Sequence, residues 1–519
     1  MAASPRATDF LSISRPKKIG AERFSRWKIE ILKLVNQKIA EVSSRFEPRD
    51  VFKVLDNYNI KSQLKNLHNM FVFCPTDKAG NNVAIICKQL YTKSILKELG
   101  LENINNINVP NTYCRVDEVE EAIVERHCVF QSKFLLEVDE DMQKLPPLHW
   151  TPKMHKSPTG ARYIIGSKKS SLKPLGKALT KIFKVIFQHK RRFCRKAGFF
   201  SGLKQFWCID NHDEVVTTLD RLNIKKHAKS IATYDFSTLY TTIPHDKLID
   251  VLSKIVDSVF NDTTRVFICV GKKSAYWVKG KSSKYMYTAT EVKECISFLI
   301  NNAYFRVGKS IFRQKVGIPI GSDPAPFFAN LFLFYYESEW IKRTSRVDFA
   351  KARRLFNTFR FIDDLNALND HGEFGRVAKD IYPPELVVNW ENGNFKSGSF
   401  LPLWISIDDD QKIFNYKLYD KRDAFPFYIV RFPFYSSNMP AKMFFNTISA
   451  EILRICRASA KYVSFQESCD PFLKRMRKQG AIKGKVKMSL NKLLSRHFKE
   501  FSKYGQTKEQ LTNNLVGLM

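Results

Sequence analysis

Asp363 and Asp364 stand between two short apolar runs, Phe359-Arg360-Phe361-Ile362 and Leu365-Asn366-Ala367-Leu368. This pattern predicts a β-hairpin carrying two carboxylates at its turn. Adjacent carboxylates repel each other, so one stays protonated unless cations neutralise the pair. Oxygen ligands of this kind suit Mg²⁺. A third acid, Asp235, closes the β-leaning run Ser230-Ile231-Ala232-Thr233-Tyr234. Three carboxylates meeting at one point could hold two metal ions about 3.5–4 Å apart, which stabilises the attacking and leaving oxygens of an in-line phosphoryl transfer. Each acid alone also has a plainer reading, as a solvated turn or a helix cap.

The elements around these acids give them a common purpose. After Asp235 the chain turns at Pro244 into an amphipathic helix with Leu248, Leu252, Ile255 and Val259 on one face. A loop of fixed shape follows in Gln314-Lys315-Val316-Gly317-Ile318-Pro319-Ile320-Gly321-Ser322-Asp323-Pro324-Ala325-Pro326. Its glycines let backbone approach a base or sugar closely. Phe327 to Trp340 is apolar on nearly all sides and reads as a buried helix. It is too short and too interrupted by Asn330 and Glu337 to span a membrane.

The order Asp-x4-Tyr (Asp235, Tyr240), then Gln-x-x-Gly-Ile-Pro-x-Gly-Ser from Gln314, then Phe361-Ile362-Asp363-Asp364 resembles motifs A, B and C of reverse transcriptases. The finer resemblance is to Penelope-like retroelements, relatives of telomerase. It is carried by Asp235 to His245, by Trp150-Thr151-Pro152-Lys153-Met154-His155-Lys156 with Arg162-Tyr163-Ile164-Ile165, and by Pro75 to Gly80. Phe400-Leu401-Pro402-Leu403 and Tyr416 to Arg422 fit as well, so the likeness runs from about Phe71 to about Ser459. Four positions depart from the family pattern: Phe361 for Tyr, Asp323 for a small or neutral residue, Tyr163 for Pro and Pro402 for Asp. Asp323 puts a charge into the template loop.

The resemblance implies an α+β, right-hand polymerase with fingers, a palm of antiparallel sheet plus helices, and a largely helical thumb. On that scheme residues 1–60 form a basic, partly helical extension (helical from about Ile29 to Val42), 61–225 the fingers, 226–400 the palm and 401–519 the palm–thumb junction and thumb. Strands are expected at Val83 to Cys87, Leu401 to Ile407, Ile413 to Leu418 and Phe427 to Phe432. The implied activity is RNA-directed DNA polymerisation, with an RNA template, a DNA or RNA primer and dNTPs as partners. Two Mg²⁺ ions, with Mn²⁺ as a substitute, would sit on Asp235, Asp363 and Asp364, with Asp235 and Asp363 the indispensable pair. Tyr240 falls where the family places its sugar gate; a ring under the sugar excludes the 2′-OH that marks ribonucleotides. Lys153 and Arg162 are candidates for the triphosphate, as a point charge and a bidentate fork respectively. Phe236, Gln314 and Gly317 are assigned to the nucleotide pocket, and Lys396 is a candidate general acid toward pyrophosphate.

Composition agrees with a polyanionic partner. Lys plus Arg number 85 against 51 Asp plus Glu, a formal net charge of +34. Basic clusters lie at His189 to Lys196, at Lys474 to Lys478 and at Lys483, Lys485 and Lys487. Each reads first as a solvated face; interleaved aromatics add a base-stacking reading. No signal peptide, long apolar span or basic amphipathic anchor is read, so no membrane partner is expected. The 10 cysteines include no Cys-x-x-Cys, which suits a reducing intracellular compartment and, by resemblance, the nucleus. No Gly-Ile-Tyr…Tyr-Ile-Gly segment and no RNase H constellation is read; an endonuclease-deficient type and a shortened chain both stay open, as does the oligomeric state. An RNA-directed RNA polymerase shares the palm but usually carries an acid where Tyr240 stands. A domesticated, non-catalytic nucleic-acid-binding protein is the remaining alternative, and the three intact acids argue against it.

Overall fold

The computed structural model describes residues 21–43, 58–101, 112–156, 159–280, 285–318, 321–437 and 439–519. Much of the expected extension (1–20 and 44–57), and Pro319 and Ile320 of the glycine-rich loop, lie outside them. The chain divides into two compact units, Met1–Phe71 and Val72–Met519. The first contains helices Ala21–Ser43 and Tyr58–Met70. A boundary at residue 60 would cut the second of these helices.

The second unit is α+β, as expected. Its centre is a four-stranded sheet in the order Thr358–Phe361, Asp364–Leu368, Ile231–Ser237, Val387–Trp390, with every neighbouring pair antiparallel. Strand periodicity of two decides which residues face which layer. Ala232, Tyr234 and Phe236 of the central strand, with Leu365 and Ala367, join the main core of helices Lys173–Ser201, His245–Asn261, Ala289–Asn301, Ala325–Val347 and Glu373–Ile381. Ile231, with Phe359 and Leu368, turns the other way onto a small antiparallel sheet of strands Ser397–Phe400, Leu403–Asp408 and Ile413–Leu418. Asp235 shares that second face.

The helices form where the sequence says they should. His245–Asn261 buries Leu248, Val251, Leu252, Ile255, Val256 and Val259, spaced three and four apart. Ala289–Asn301 is opened by a capping box of Thr288 and Glu291. Ala325–Val347 is buried on most sides as far as Ile341 and takes even Glu337 out of water.

Two hairpins and a three-stranded antiparallel sheet build another part of the unit. Strands Phe71–Thr76 and Ala79–Cys87 pair, as do Leu148–Lys153 and Gly160–Ile165; Tyr304–Val307, Ser310–Gln314 and Tyr113–Val116 make a third sheet. At the other end, helices Ala441–Arg457, Tyr462–Lys478, Lys483–Phe501 and Lys508–Gly517 pack around Phe444, Ile448, Phe465, Leu473, Leu490 and Leu511.

One expected strand is absent: Phe427 to Phe432 is irregular. Pro426 and Pro433 flank it and remove donors from any ladder. Its polar backbone is met instead by Asn82, whose Oδ1 accepts from Val430 N at 2.8 Å and whose Nδ2 donates to Val430 O at 3.2 Å. A boundary at 400/401 falls in the tight turn Leu401-Pro402 within the small sheet, where Leu401 has φ +55°.

Candidate active site

Antiparallel register brings the acids together. Asp364 lies directly opposite Asp235, and the backbone N–H of Phe236 donates to Asp363 O at 3.3 Å. Asp363 occupies the two-residue turn closing the Phe361–Asp364 pair. All three acids are half-buried. Burial, then the charges of Asp363, Glu391 and Asp364, push Asp235 up to about 6. Burial also raises Asp364, with Asp363 and Glu391 adding to it and Lys421 and Lys78 opposing. Glu391, at the end of the neighbouring edge strand, is a fourth acid that sequence reasoning missed; nothing but its place after an apolar run could have flagged it.

The turn itself is strained. Ile362 sits at φ +57°, a region that β-branched residues avoid. A buried network holds it there. Arg360 Nη1 donates to Ile362 O at 3.0 Å and to Asn330 Oδ1 at 2.8 Å. Arg360 Nε and Nη2 bind the Glu337 carboxylate at 2.5 and 3.2 Å, and Tyr382 donates to the same carboxylate at 2.9 Å. Both partners of the ion pair are 0% exposed. The helix Ala325–Val347 therefore fixes the acid-bearing turn from beneath.

The glycine-rich loop packs against the segment after Asp235. Gly317 has φ +89°, and a Cβ there would lie 2.3 Å from Tyr240 O. Ile318 N donates to Tyr240 O at 2.6 Å, Gly317 N to Ile243 O at 2.7 Å, and His245 Nε2 meets Gly317 O at 2.8 Å. Gln314 is buried and donates from Nε2 to Val316 O at 2.9 Å, which shapes the loop from within. Tyr240 is pushed up to about 12 by burial, with the Asp363 charge adding to it.

The other end of the loop is tied to the segment just after the hairpin Leu148–Lys153/Gly160–Ile165. Ser167 Oγ donates to Gly321 O. Asp323 is half-buried and pairs with Lys173 Nζ at 2.8 Å, so the charge that looked out of place in a template loop has a cation of the protein's own beside it.

A cationic cluster stands on the opposite hairpin. Arg162 Nη1 pairs with buried Asp77 at 3.0 Å, which aims the guanidinium. Lys153 is lowered by burial and by the charges of Arg162 and Lys156. Lys78, at φ +65° in the adjacent turn, is exposed and acts electrostatically on Asp364.

Two expectations require correction. Phe236 is buried on the helix side and packs edge-on against Tyr382 at 4.9 Å; alternation along a strand means that Asp235 and Phe236 cannot both face the site. Its side chain is therefore committed to the core, and its backbone N–H is the part that faces the acid turn. Lys396 is exposed and its Nζ is held by Asp409 at 2.5 Å on the small sheet; the lysines that act on the acids are Lys421 and Lys78. Among the described residues no group of three His, Cys, Asp or Glu is drawn together closely enough to hold an ion by itself. The donor chemistry still fits Mg²⁺, which takes one or two carboxylates and completes its shell with water and substrate phosphates.

No family model and no curated protein matches the chain. Among solved structures, telomerase from Candida albicans, in complex with a TWJ fragment of telomeric RNA, superposes with a TM-score of 0.57 at 10% identity, covering 89% of this chain and 72% of that one. This chain has a right-hand polymerase fold. Apo telomerase from Candida tropicalis gives a TM-score of 0.44 at 11% identity over 91% and 75% of the two chains. The BmCPV RNA-dependent RNA polymerase at its elongation state gives 0.38 at 10% identity over 77% and 30%. The fold assignment rests on the first of these.

Proposed function

We propose that the chain is an RNA-directed DNA polymerase of the Penelope-like retroelement type, extending a primer 3′ end on an RNA template. The observation that carries this reading is the pairing of Asp235 with Asp364, beside the Asp363 turn, on the two inner strands of the central sheet. Asp235 and Asp363 would hold Mg²⁺, or Mn²⁺ in its place. When bound, the ions supply charge stabilisation to the attacking 3′-oxygen and the leaving pyrophosphate.

The chain's own residues do the rest. Arg162, held by Asp77, and Lys153 bind the triphosphate, and Lys78 and Lys421 offset the negative charge of the acids. Arg360 and Glu337 keep the acid turn in place, so that little reorganisation is needed when substrate arrives. Tyr240, pinned through its backbone to Ile318, lies under the sugar and rejects a 2′-OH. An RNA template is proposed here by analogy with the telomerase solved with telomeric RNA. The test is sugar choice: wild type should prefer dNTPs over NTPs by a large factor, and Tyr240→Ala should admit NTPs with a smaller loss of dNTP use. Equal use of both sugars by the wild type would replace this reading with an RNA polymerase.

A further inference from the structure

The long fingers helix Lys173–Ser201 contains no acidic residue over its 29 positions. Its apolar face is fully committed, with Leu175, Leu179, Ile182, Phe183 and Ile186 buried. The structure sorts its cations into two sets. Lys173 pairs with Asp323, Lys181 donates to Gly271 O and Lys272 O, Lys190 binds Ser258 and Asp262, and Arg191 and Arg195 bind Glu214. Lys177, Lys184, Arg192 and Lys196 are exposed and have no ion-pair partner among the described residues.

These four lie along one line of the helix, with Gln188 between them. The line ends in exposed aromatics. Phe193 is 50% exposed, Phe199 85% and Phe200 77%, and the last two rings meet edge-on at 5.4 Å. The chain's own geometry keeps them outside. A Cβ at Gly198 would lie 2.6 Å from Leu203 O, and Gly202 at φ +68° ends the helix. That tight reversal sends Phe206 and Trp207 into the core and leaves Phe199 and Phe200 in water. From Lys177 to Phe200 the line runs about 34 Å at 1.5 Å per residue.

We infer that this face is a binding platform for single-stranded RNA, with Lys177, Lys184, Arg192 and Lys196 tracking phosphates and Phe193, Phe199 and Phe200 stacking bases. Cations without acids select a polyanion, and exposed rings beside them select one with unpaired bases, since a duplex hides its base faces. No residue of the acid site belongs to it. The inference rests on the reading that the chain works on RNA, and would let template outside the copied duplex be held while the palm works.

The test uses the full chain with its primer–template groove filled by unlabelled blunt duplex. Binding of a fluorescein-labelled oligouridylate is then followed by anisotropy. Phe199→Ala/Phe200→Ala should weaken binding by about tenfold or more, as expected for lost stacking. Arg192→Gln/Lys196→Gln should flatten the logarithmic salt dependence by about 1.4, from two phosphate contacts on a single strand. Both pairs are exposed, so melting temperature and extension on a short primer–template should match wild type. Affinities within twofold of wild type for both variants would overturn the platform. So would sedimentation showing that Phe199 and Phe200 mediate self-association while oligouridylate binding is unchanged. A wild type that binds oligouridylate in this way but extends no primer would leave the platform standing and remove the proposed polymerase activity.

Discussion

Replacing Asp235 by Asn should stabilise the protein in the absence of divalent metal and abolish its activity. Burial and the neighbouring carboxylates raise Asp235 from the ordinary 3.8 to about 6. At about 1.4 kcal/mol for each tenfold change in ionisation, that corresponds to about 3 kcal/mol of destabilisation once the group is charged. Asp235 is only half-buried, so solvent screening reduces this to about 1–2 kcal/mol. The sign follows from the raised value. Stability is full below the unfolded value, where both states are protonated, and is lost as pH rises through about 6. In EDTA at pH 7.5, Asp235→Asn should therefore melt a few degrees above wild type. The gap should shrink as pH falls from 7 toward 4. Adding Mg²⁺ should raise the wild-type melting temperature and leave the variant nearly unmoved, narrowing or reversing the order. Differential scanning fluorimetry across pH, with and without Mg²⁺, reads all of this. A variant less stable than wild type in EDTA at pH 7.5 would refute the reasoning, as would a wild type indifferent to Mg²⁺.

Arg360→Met should leave the Glu337 carboxylate buried and unpaired, costing about 3–5 kcal/mol of stability by chemical denaturation and releasing the strained Ile362 turn. Gly317→Ala places a methyl against the backbone at Tyr240 O at a positive φ, so the loop must shift: the thermal midpoint should fall and kcat/KM for dNTP should drop at least about tenfold; unchanged turnover would detach the loop from the nucleotide pocket.

The site's skeleton was legible because strand and helix periods are local. The alternation around Asp235 and Asp363-Asp364 is visible in a few residues, as is the three-and-four spacing after Pro244. The same alternation, applied one residue further, would have removed Phe236 from the nucleotide pocket. What could not be read depends on pairing across the fold. Asp77 aims Arg162 across 85 positions, Asp323 is neutralised by Lys173 across 150, and Glu391 reaches the acids only through its strand. Lys396 followed the order of a motif, but side-chain reach is set by the small sheet, which gives it Asp409 instead. The irregular run from Phe427 to Phe432 has strand-like composition, yet its hydrogen bonds go to Asn82, far away in sequence.

The most direct measurement is primer extension by the full chain on an RNA template, with Mg²⁺, comparing dNTPs with NTPs and wild type with Asp363→Asn. The account predicts dNTP-dependent extension by the wild type and none by the variant, with primer–template binding by the variant equal or stronger because a repelling carboxylate is gone. Extension surviving in Asp363→Asn, or a wild type that binds the primer–template but never extends it, would contradict it.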